Sequence, residues 1–137
     1  MKTENSFPEP MEGSIFYENA ETYACLAFGP KAEGHTIVAF NNNRDVEDIN
    51  SLSLSEYLYF MKVVFVVRKA LMEVFLTDKV YIAYIDESRH VHIHLFPRRP
   101  GMPDDEKGFN LMCKPKGELK DLSKIPLLKS KVQELFE

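Results

Sequence analysis

Residues 90–96 read HVHIHLF, and they hold three of the four histidines of the chain at alternate positions: His90, His92 and His94. Successive side chains of a β-strand point to opposite faces of its sheet, so residues two and four positions apart share a face. The segment therefore predicts a strand that carries three imidazoles, about 6.5–7 Å apart, on one face. The residues between them are aliphatic and should face the core: Val91, Ile93 and Leu95.

A row of three imidazoles indicates chemistry, because imidazole is a poor core filler and a poor solubilising group. Two kinds of site fit it. A His-x-His pair on a strand can bind zinc if a third ligand comes from elsewhere, and His35 is the one remaining histidine. Alternatively, a neutral imidazole can attack phosphorus while its neighbours donate hydrogen bonds to phosphoryl oxygens and protonate the leaving group. The residues alone leave both open.

The rest of the composition narrows the class of protein. The chain has 137 residues, 45% of them hydrophobic, which predicts a single folded domain over residues 1–137. With 17 Lys and Arg against 21 Asp and Glu the net charge is −4, so we expect no general binding of nucleic acid or of an anionic membrane. No apolar run approaches the roughly 20 residues of a membrane-spanning helix. Two isolated cysteines, Cys25 and Cys113, are typical of a reducing compartment, and we expect a cytoplasmic protein.

Periodicity along the chain predicts the order of its elements. Runs rich in β-branched and aromatic residues indicate strands at 15–17, 22–28, 35–40, 79–85 and 90–96. Ser53, followed by Glu56 three residues later, predicts a capped helix that ends near Leu76, and a second helix begins near Lys124. The order predicts an α+β domain: an antiparallel sheet of about five strands, one central helix and a C-terminal helix. We expect an N-terminal arm (1–13), a core (14–98) and a C-terminal loop and helix (99–137).

The central helix is apolar nearly all round between residues 57 and 67, interrupted mainly by Lys62. Such a helix needs cover on more than one face. In a domain of this size that predicts a second copy of the chain, and hence a homodimer. The competing interpretation is that the domain's own sheet and arms bury the helix.

The histidine segment resembles the signature of the histidine triad family, His-φ-His-φ-His-φ-φ with φ apolar, at every position. The resemblance continues through residues 15–18, 25–28, 34–38 and the helix capped by Ser53, so it covers roughly residues 14–98. Members of this family are small α+β proteins, mostly homodimers, that bind nucleoside phosphates. The resemblance implies that the protein binds a nucleotide. It also implies hydrolysis or transfer at the α-phosphate of a dinucleoside polyphosphate or a nucleoside phosphoramidate.

The resemblance also implies roles for particular residues. His92 would be the nucleophile that forms a nucleotidyl-histidine, and His90 and His94 would hold the phosphate oxygens and assist the leaving group. His35 would support the triad from the neighbouring strand. Three apolar residues lie where the family builds its base pocket, although packing in the core explains them equally well: Ile15, Phe16 and Leu26. The reaction requires no metal ion, but Mg²⁺ can accompany a polyphosphate substrate.

Three features differ from the family's usual pattern. Ala27 and Phe28 stand where an Asp or Asn binds the ribose, and residues 40–43 replace a Pro-Lys-x-His segment. The Gly-Gln loop that donates hydrogen bonds to phosphate is shortened to residues 86–89, where Ser88 and Arg89 are the candidate replacements. These differences motivate an alternative function, a non-catalytic nucleotide-binding module of the same fold.

Overall fold

The computed structural model describes residues 7–42, 44–85 and 88–137, and its framework is a five-stranded antiparallel sheet. The strands are β1 (Ile15–Glu18), β2 (Thr22–Leu26), β3 (Thr36–Phe40), β4 (Val80–Ala83) and β5 (His92–Pro97). Their order in the sheet is β1-β2-β3-β5-β4, so the histidine strand lies between β3 and the edge strand β4. The predicted α+β class with about five antiparallel strands is confirmed.

The described residues also form three α-helices: α1 (Leu54–Val74), α2 (Phe109–Met112) and α3 (Ile125–Phe136). Ser53 caps α1, as predicted. Its Oγ accepts from the backbone N–H of Glu56 at 3.1 Å, and the Glu56 carboxylate accepts from the N–H of Ser53 at 2.9 Å. Two short 3₁₀ turns, Ile49–Ser51 and Asp104–Glu106, lie in the connections. In this part of the chain no helix is long and apolar enough to cross a membrane.

The main core lies between one face of the sheet and the pair α1 and α3. The aliphatic residues that alternate with the histidines belong to it, each no more than 4% exposed: Val91, Ile93 and Leu95. Helix α3 packs against both α1 and β1, so the chain itself covers a second face of α1. Part of α1 still carries exposed apolar side chains, among them Leu58 and Phe65.

The opposite face of the sheet carries the histidines and a smaller apolar cluster. Its buried members are Phe7, Tyr23, Cys25 and Ala39, with Ile15 and Ile37 packed against them. Phe7 comes from the N-terminal arm, which therefore crosses this face of the sheet. One face of the sheet thus packs against the helices, and the other carries the histidines beside this smaller apolar cluster.

Strand boundaries differ from the predicted ones by one to two residues, and one difference matters for the site. β5 begins at His92, because Arg89 adopts a left-handed backbone conformation with φ of 59° that turns the chain just before the strand. His90 therefore precedes the strand, and its ring lies under Phe7, which also contacts His92. Of the three alternating histidines, His92 and His94 lie within β5.

Gly34 lies in the turn that leads into β3, and its φ of +83° is one that L side chains rarely adopt. A Cβ there would also lie 3.0 Å from Phe75 Cε2 and 3.0 Å from Pro97 Cγ. We predict that Gly34→Ala lowers the free energy of unfolding by roughly 2–4 kcal/mol, because backbone strain and overpacking add. Urea denaturation measures the loss.

Gly101→Ala is the matched control, because Gly101 has a similar φ of +77° but no atom within 4 Å of its Cβ position. In this variant the free energy of unfolding should fall only by the cost of backbone strain, about 1–2 kcal/mol. Equal losses in the two variants would show that crowding at Phe75 and Pro97 contributes nothing.

Candidate active site

The register of the sheet brings histidines from two strands together. β3 and β5 are antiparallel, with Ala39 opposite His92 and Ile37 opposite His94. His35 immediately precedes β3, so its side chain lies beside His94, with 5.1 Å between the ring centroids. The rings of His92 and His94 are 4.9 Å apart. The imidazoles of His35, His94 and His92 therefore form a continuous group.

The side chain of His92 is held by the backbone that precedes it. Its Nδ1 lies 2.8 Å from the carbonyl oxygen of His90 and 3.2 Å from the hydroxyl of Ser88, which itself donates to the same carbonyl at 3.1 Å. A carbonyl can only accept, so the hydrogen of neutral His92 is on Nδ1 and the lone pair is on Nε2. Burial lowers the pKa of His92 below its usual 6.5. The ring is therefore neutral at pH 7, with a free lone pair on Nε2.

His94 has the opposite tautomer, because a chain of donors ends on it. The backbone N–H of Lys31 donates to His35 Nδ1 at 3.1 Å, which leaves the hydrogen of His35 on Nε2. That Nε2–H donates to His94 Nδ1 at 2.9 Å, so His94 carries its own hydrogen on Nε2. Burial, with smaller effects from neighbouring groups, lowers the pKa of His35 to about 3 and that of His94 to about 4. His94 therefore presents a neutral N–H donor beside the lone pair of His92.

His90 has a structural position. It is 2% exposed, and its Nε2 donates to the carbonyl oxygen of Phe40 at 2.7 Å. The ring of Phe7 covers it, with centroids 5.0 Å apart. This arrangement differs from the expectation that His90 holds phosphate oxygens, because the ring is buried and its Nε2–H is used within the protein. What His90 supplies is its carbonyl, which orients His92.

A cavity of about 220 Å³ opens onto His92 and His94. The arm contributes residues 7–10 to its wall, and β2 and β3 contribute apolar side chains that include Tyr23 and Ile37. Phe28, which is 48% exposed, and Lys116, which comes from the segment after α2, complete the wall. The site therefore joins an apolar lining to two imidazoles and a cation.

The other predicted binding residues are divided between this cavity and the core. Leu26 borders the cavity but is buried in the main core, whereas Ile15 packs in the cluster on the histidine face of the sheet. Phe16 is 2% exposed in the main core on the helix side, so the structure does not bring it to the histidines. Ile15 pairs with Cys25 and lies on the histidine face, and Phe16, the next residue of β1, faces the other side.

The short loop before β5 is occupied by internal contacts. Ser88 contacts His92, as described above, and the guanidinium of Arg89 binds the Glu47 carboxylate through Nε, at 3.0 Å, and through Nη2. Asp86 and Glu87, which complete the predicted phosphate loop, lie outside the described residues. The structure therefore directs Arg89 toward Glu47.

Two residues at the cavity have no signal in the sequence pattern. Phe7 lies in a polar arm, and Lys116 comes about 20 residues after the histidine segment. Phe28, by contrast, ends the predicted strand 22–28, where the family usually has a ribose-binding Asp or Asn. Backbone pairing brings Lys116 to the site, because the N–H of Gly117 donates to the carbonyl of Pro30 at 2.7 Å. Only tertiary contacts of this kind place Phe7 and Lys116.

The zinc hypothesis requires three donor side chains that converge. Among residues 7–42, 44–85 and 88–137, no group of three or more His, Cys, Asp and Glu side chains is placed to hold a metal ion. The nitrogens with which His35 and His94 face each other are already joined by a hydrogen bond. These two side chains therefore form a hydrogen-bonded pair in which His35 orients His94.

Comparison with protein families matches residues 9–101 to the HIT domain. No curated protein is similar enough in sequence to match the chain. Among solved structures, a hypothetical histidine triad nucleotide-binding protein from Sulfolobus tokodaii is 25% identical, with a TM-score of 0.66 over 91% of this chain and 84% of that one. A zinc-bound histidine triad family protein from Mycobacterium smegmatis is 22% identical, with a TM-score of 0.68 over 89% and 85% of the two chains.

The diadenosine triphosphate hydrolase of Plasmodium falciparum, solved with cyclomarin A, is 18% identical. Its TM-score is 0.69, over 96% of this chain and 84% of that one. At this identity the likeness concerns the fold.

The low pKa of His35 makes the stability of the fold depend on pH. Below pH 6.5 the unfolded chain binds a proton at this residue that the folded protein does not accept until about pH 3. We therefore predict that the free energy of unfolding falls as the pH is lowered from 6.5 to 5, by at most about 1.4 kcal/mol per pH unit for each such group. Urea denaturation at several pH values in this window measures the slope.

His35→Gln provides the comparison, because its amide can still donate to His94 but does not titrate. We expect this variant to be less stable at pH 7 and to lose less stability per pH unit than the intact protein. The same slope in both proteins would show that His35 is not the group responsible.

Proposed function

The chain belongs to the HIT domain family, and on that premise we propose that it is a hydrolase or transferase acting at the α-phosphate of a nucleoside phosphate conjugate. Dinucleoside polyphosphates and nucleoside phosphoramidates are the two substrate classes. The observation that carries the proposal is the pair of complementary tautomers at the cavity. His92 offers a lone pair on Nε2, and His94, whose ring is 4.9 Å away, offers an N–H.

In the proposed reaction, His92 Nε2 attacks phosphorus and the bond from phosphorus to the leaving group breaks. The leaving group departs with the electron pair, and the nucleotide becomes attached to His92. The ring gains positive charge in this step, which its Nδ1–H shares with the carbonyl of His90 at 2.8 Å. His94 Nε2–H stabilises the phosphoryl oxygens as their charge changes. Water or another acceptor then displaces His92, and the proton of the attacking group passes to solvent.

The proposed chemistry draws on protein groups for charge stabilisation and needs no resident metal ion. Where the substrate is a polyphosphate, Mg²⁺ would arrive bound to its phosphate chain, because this hard cation prefers phosphate oxygens. The same proposal places the protein in the cytoplasm. Cys25 and Cys113 are both free, as a reducing compartment would keep them.

One observation favours the second candidate function, a nucleotide-binding module without turnover. The ring of Phe7 lies 4.5 Å from that of His92 and covers one side of the proposed nucleophile. If a ligand leaves Phe7 in this place, the nucleotide binds but an in-line approach to phosphorus is restricted. Turnover measurements separate the two functions directly.

We also propose that the protein is a homodimer formed through α1 and the adjacent edge of the sheet. Leu54, Leu58 and Phe65 are 72%, 57% and 67% exposed, and their spacing places them along one side of the helix, over about 16 Å. The edge strand β4 contacts α1 and exposes Ile82. An apolar stripe beside an open strand edge suits a two-fold contact with a second copy, which would cover both.

The nucleophile is tested by measuring nucleotide release from diadenosine triphosphate and from adenosine 5′-phosphoramidate. We predict that His92→Ala lowers the rate by roughly 10³–10⁶-fold while AMP binding persists, because only the attacking nitrogen is removed. Labelled nucleotide should remain on the intact protein after an alkaline quench, since phosphohistidine bonds survive base, and should be missing from His92→Ala.

Unchanged release by His92→Ala would exclude His92 as the nucleophile. An intact protein that binds AMP but releases product from neither substrate would instead establish the binding module. Near-ultraviolet circular dichroism of both proteins checks that the substitution preserves the fold.

The dimer is tested by analytical ultracentrifugation at micromolar concentration. We predict that Phe65→Glu weakens self-association by about 100-fold or more, because it buries a charge in an apolar contact. Leu127→Glu on α3 is the control, since Leu127 is also exposed, at 56%, but lies outside the stripe. A monomeric intact protein, or equal effects of the two variants, would contradict the proposed interface.

A further inference from the structure

The donor chain that ends on His94 limits which leaving groups the site can expel. His94 Nδ1 already accepts the Nε2–H of His35, whose own Nδ1 accepts the backbone N–H of Lys31. An extra proton on His94 would have to occupy Nδ1 and would point at the N–H of His35. His94 can therefore donate a hydrogen bond from Nε2, but it holds no proton that it can release easily.

Without an acid, the bond that breaks should be one whose leaving group is stable as an anion. A phosphate chain meets this requirement, because its bridging oxygen keeps the electron pair and needs no proton. An amine leaves readily only after its nitrogen has gained a proton, and His94 does not supply that proton. A cation of the protein near His94 would stabilise the charge that appears on the leaving phosphate, in addition to any Mg²⁺ that the chain carries.

Lys116 is the cation of the described residues that lines the cavity together with His92 and His94. The N–H groups of Gly117 and Leu119 donate to the carbonyls of Pro30 and Phe28, at 2.7 and 3.1 Å, and fix its backbone beside the cavity. Its side chain lies against Gly29, where a Cβ would be only 3.3 Å from Lys116 Cδ. The aliphatic part of the Lys116 side chain therefore packs over Gly29, where any larger residue would crowd it.

The charges of the cavity wall are also separated along the histidine strand. Lys116 lies at the end near His94. Burial is the main cause of the low pKa values of His35 and His94, and a neighbouring histidine, Lys31 and Lys116 add to it. Glu9, the carboxylate of the wall, lies toward the other end, because it accepts from Asn42 at 2.9 Å just beyond β3. A negatively charged chain therefore fits best when it extends from His92 toward His94 and Lys116.

We propose that Lys116 binds the leaving phosphate chain of a nucleoside polyphosphate and makes the site selective for leaving groups that depart as anions. This inference rests on the proposed function. It assigns to Lys116 the phosphate contact that Arg89, paired with Glu47, does not supply here. In the step itself the P–O bond breaks, the oxygen keeps both electrons, and the Lys116 ammonium balances the new negative charge.

The test compares two substrates that share an adenylyl group and differ in the leaving group, diadenosine triphosphate and adenosine 5′-phosphoramidate. We expect the intact protein to prefer the triphosphate. Lys116→Gln should lower kcat/KM for the triphosphate by about 10–100-fold and that for the phosphoramidate by a clearly smaller factor. Lys116→Arg, which keeps the charge, should restore most of the loss.

Lys120→Gln is the matched control, because Lys120 is in the same segment, with its side chain 80% exposed and 3.5 Å from Glu118. This variant should behave as the intact protein does. Equal losses of Lys116→Gln on both substrates, an unchanged triphosphate rate, or a preference of the intact protein for the phosphoramidate would each overturn the inference.

A failure of the proposed function gives a different result. If the intact protein turns over neither substrate, binding replaces turnover as the readout. Lys116→Gln should then bind diadenosine triphosphate about 10–100-fold more weakly and AMP with nearly unchanged affinity. Equal affinity of the two proteins for the triphosphate would overturn the contact with Lys116 even in that case.

Discussion

The hydrogen bond from His92 Nδ1 to the carbonyl of His90 is the interaction on which the site depends. It spans only two residues, and it forms because Arg89 turns the chain in the left-handed region immediately before the strand. That turn aims the His90 carbonyl at the ring that follows. The bond fixes the orientation of His92 and its tautomer together, so one backbone feature determines which nitrogen faces the cavity.

The second half of the site is oriented from the neighbouring strand. His35 and His94 come from segments that are 59 residues apart in the chain, yet they share a hydrogen bond of 2.9 Å because β3 and β5 pair in this register. The two imidazoles that face the cavity thus receive opposite tautomers from independent sources, a backbone carbonyl for His92 and a donor chain for His94. Each orienting group lies within secondary structure or next to it, which keeps both rings in place.

The sequence predicted the fold class, the number of strands and the capped helix, because hydrophobic periodicity and capping chemistry are local. It also predicted that Val91, Ile93 and Leu95 face the core. The predicted strand began too early, at His90, since the pattern of side chains carries no information about the backbone turn at Arg89. The family resemblance placed both Ile15 and Phe16 at the base pocket. The two residues are adjacent in a strand, however, and they lie on opposite faces of the sheet. Phe7 and Lys116 could not be predicted, because long-range backbone contacts place them.

The position of Phe7 has a thermodynamic consequence for any ligand of the cavity. Its ring packs on His90 and His92, so a ligand that needs this side of His92 competes with a side chain of the same molecule. The apparent dissociation constant then equals the intrinsic one divided by the fraction of molecules in which the arm has moved away. An intramolecular competitor of this kind sets the strength of binding without touching the ligand. Substitutions in the arm can therefore change the affinity for a ligand while the histidines stay the same.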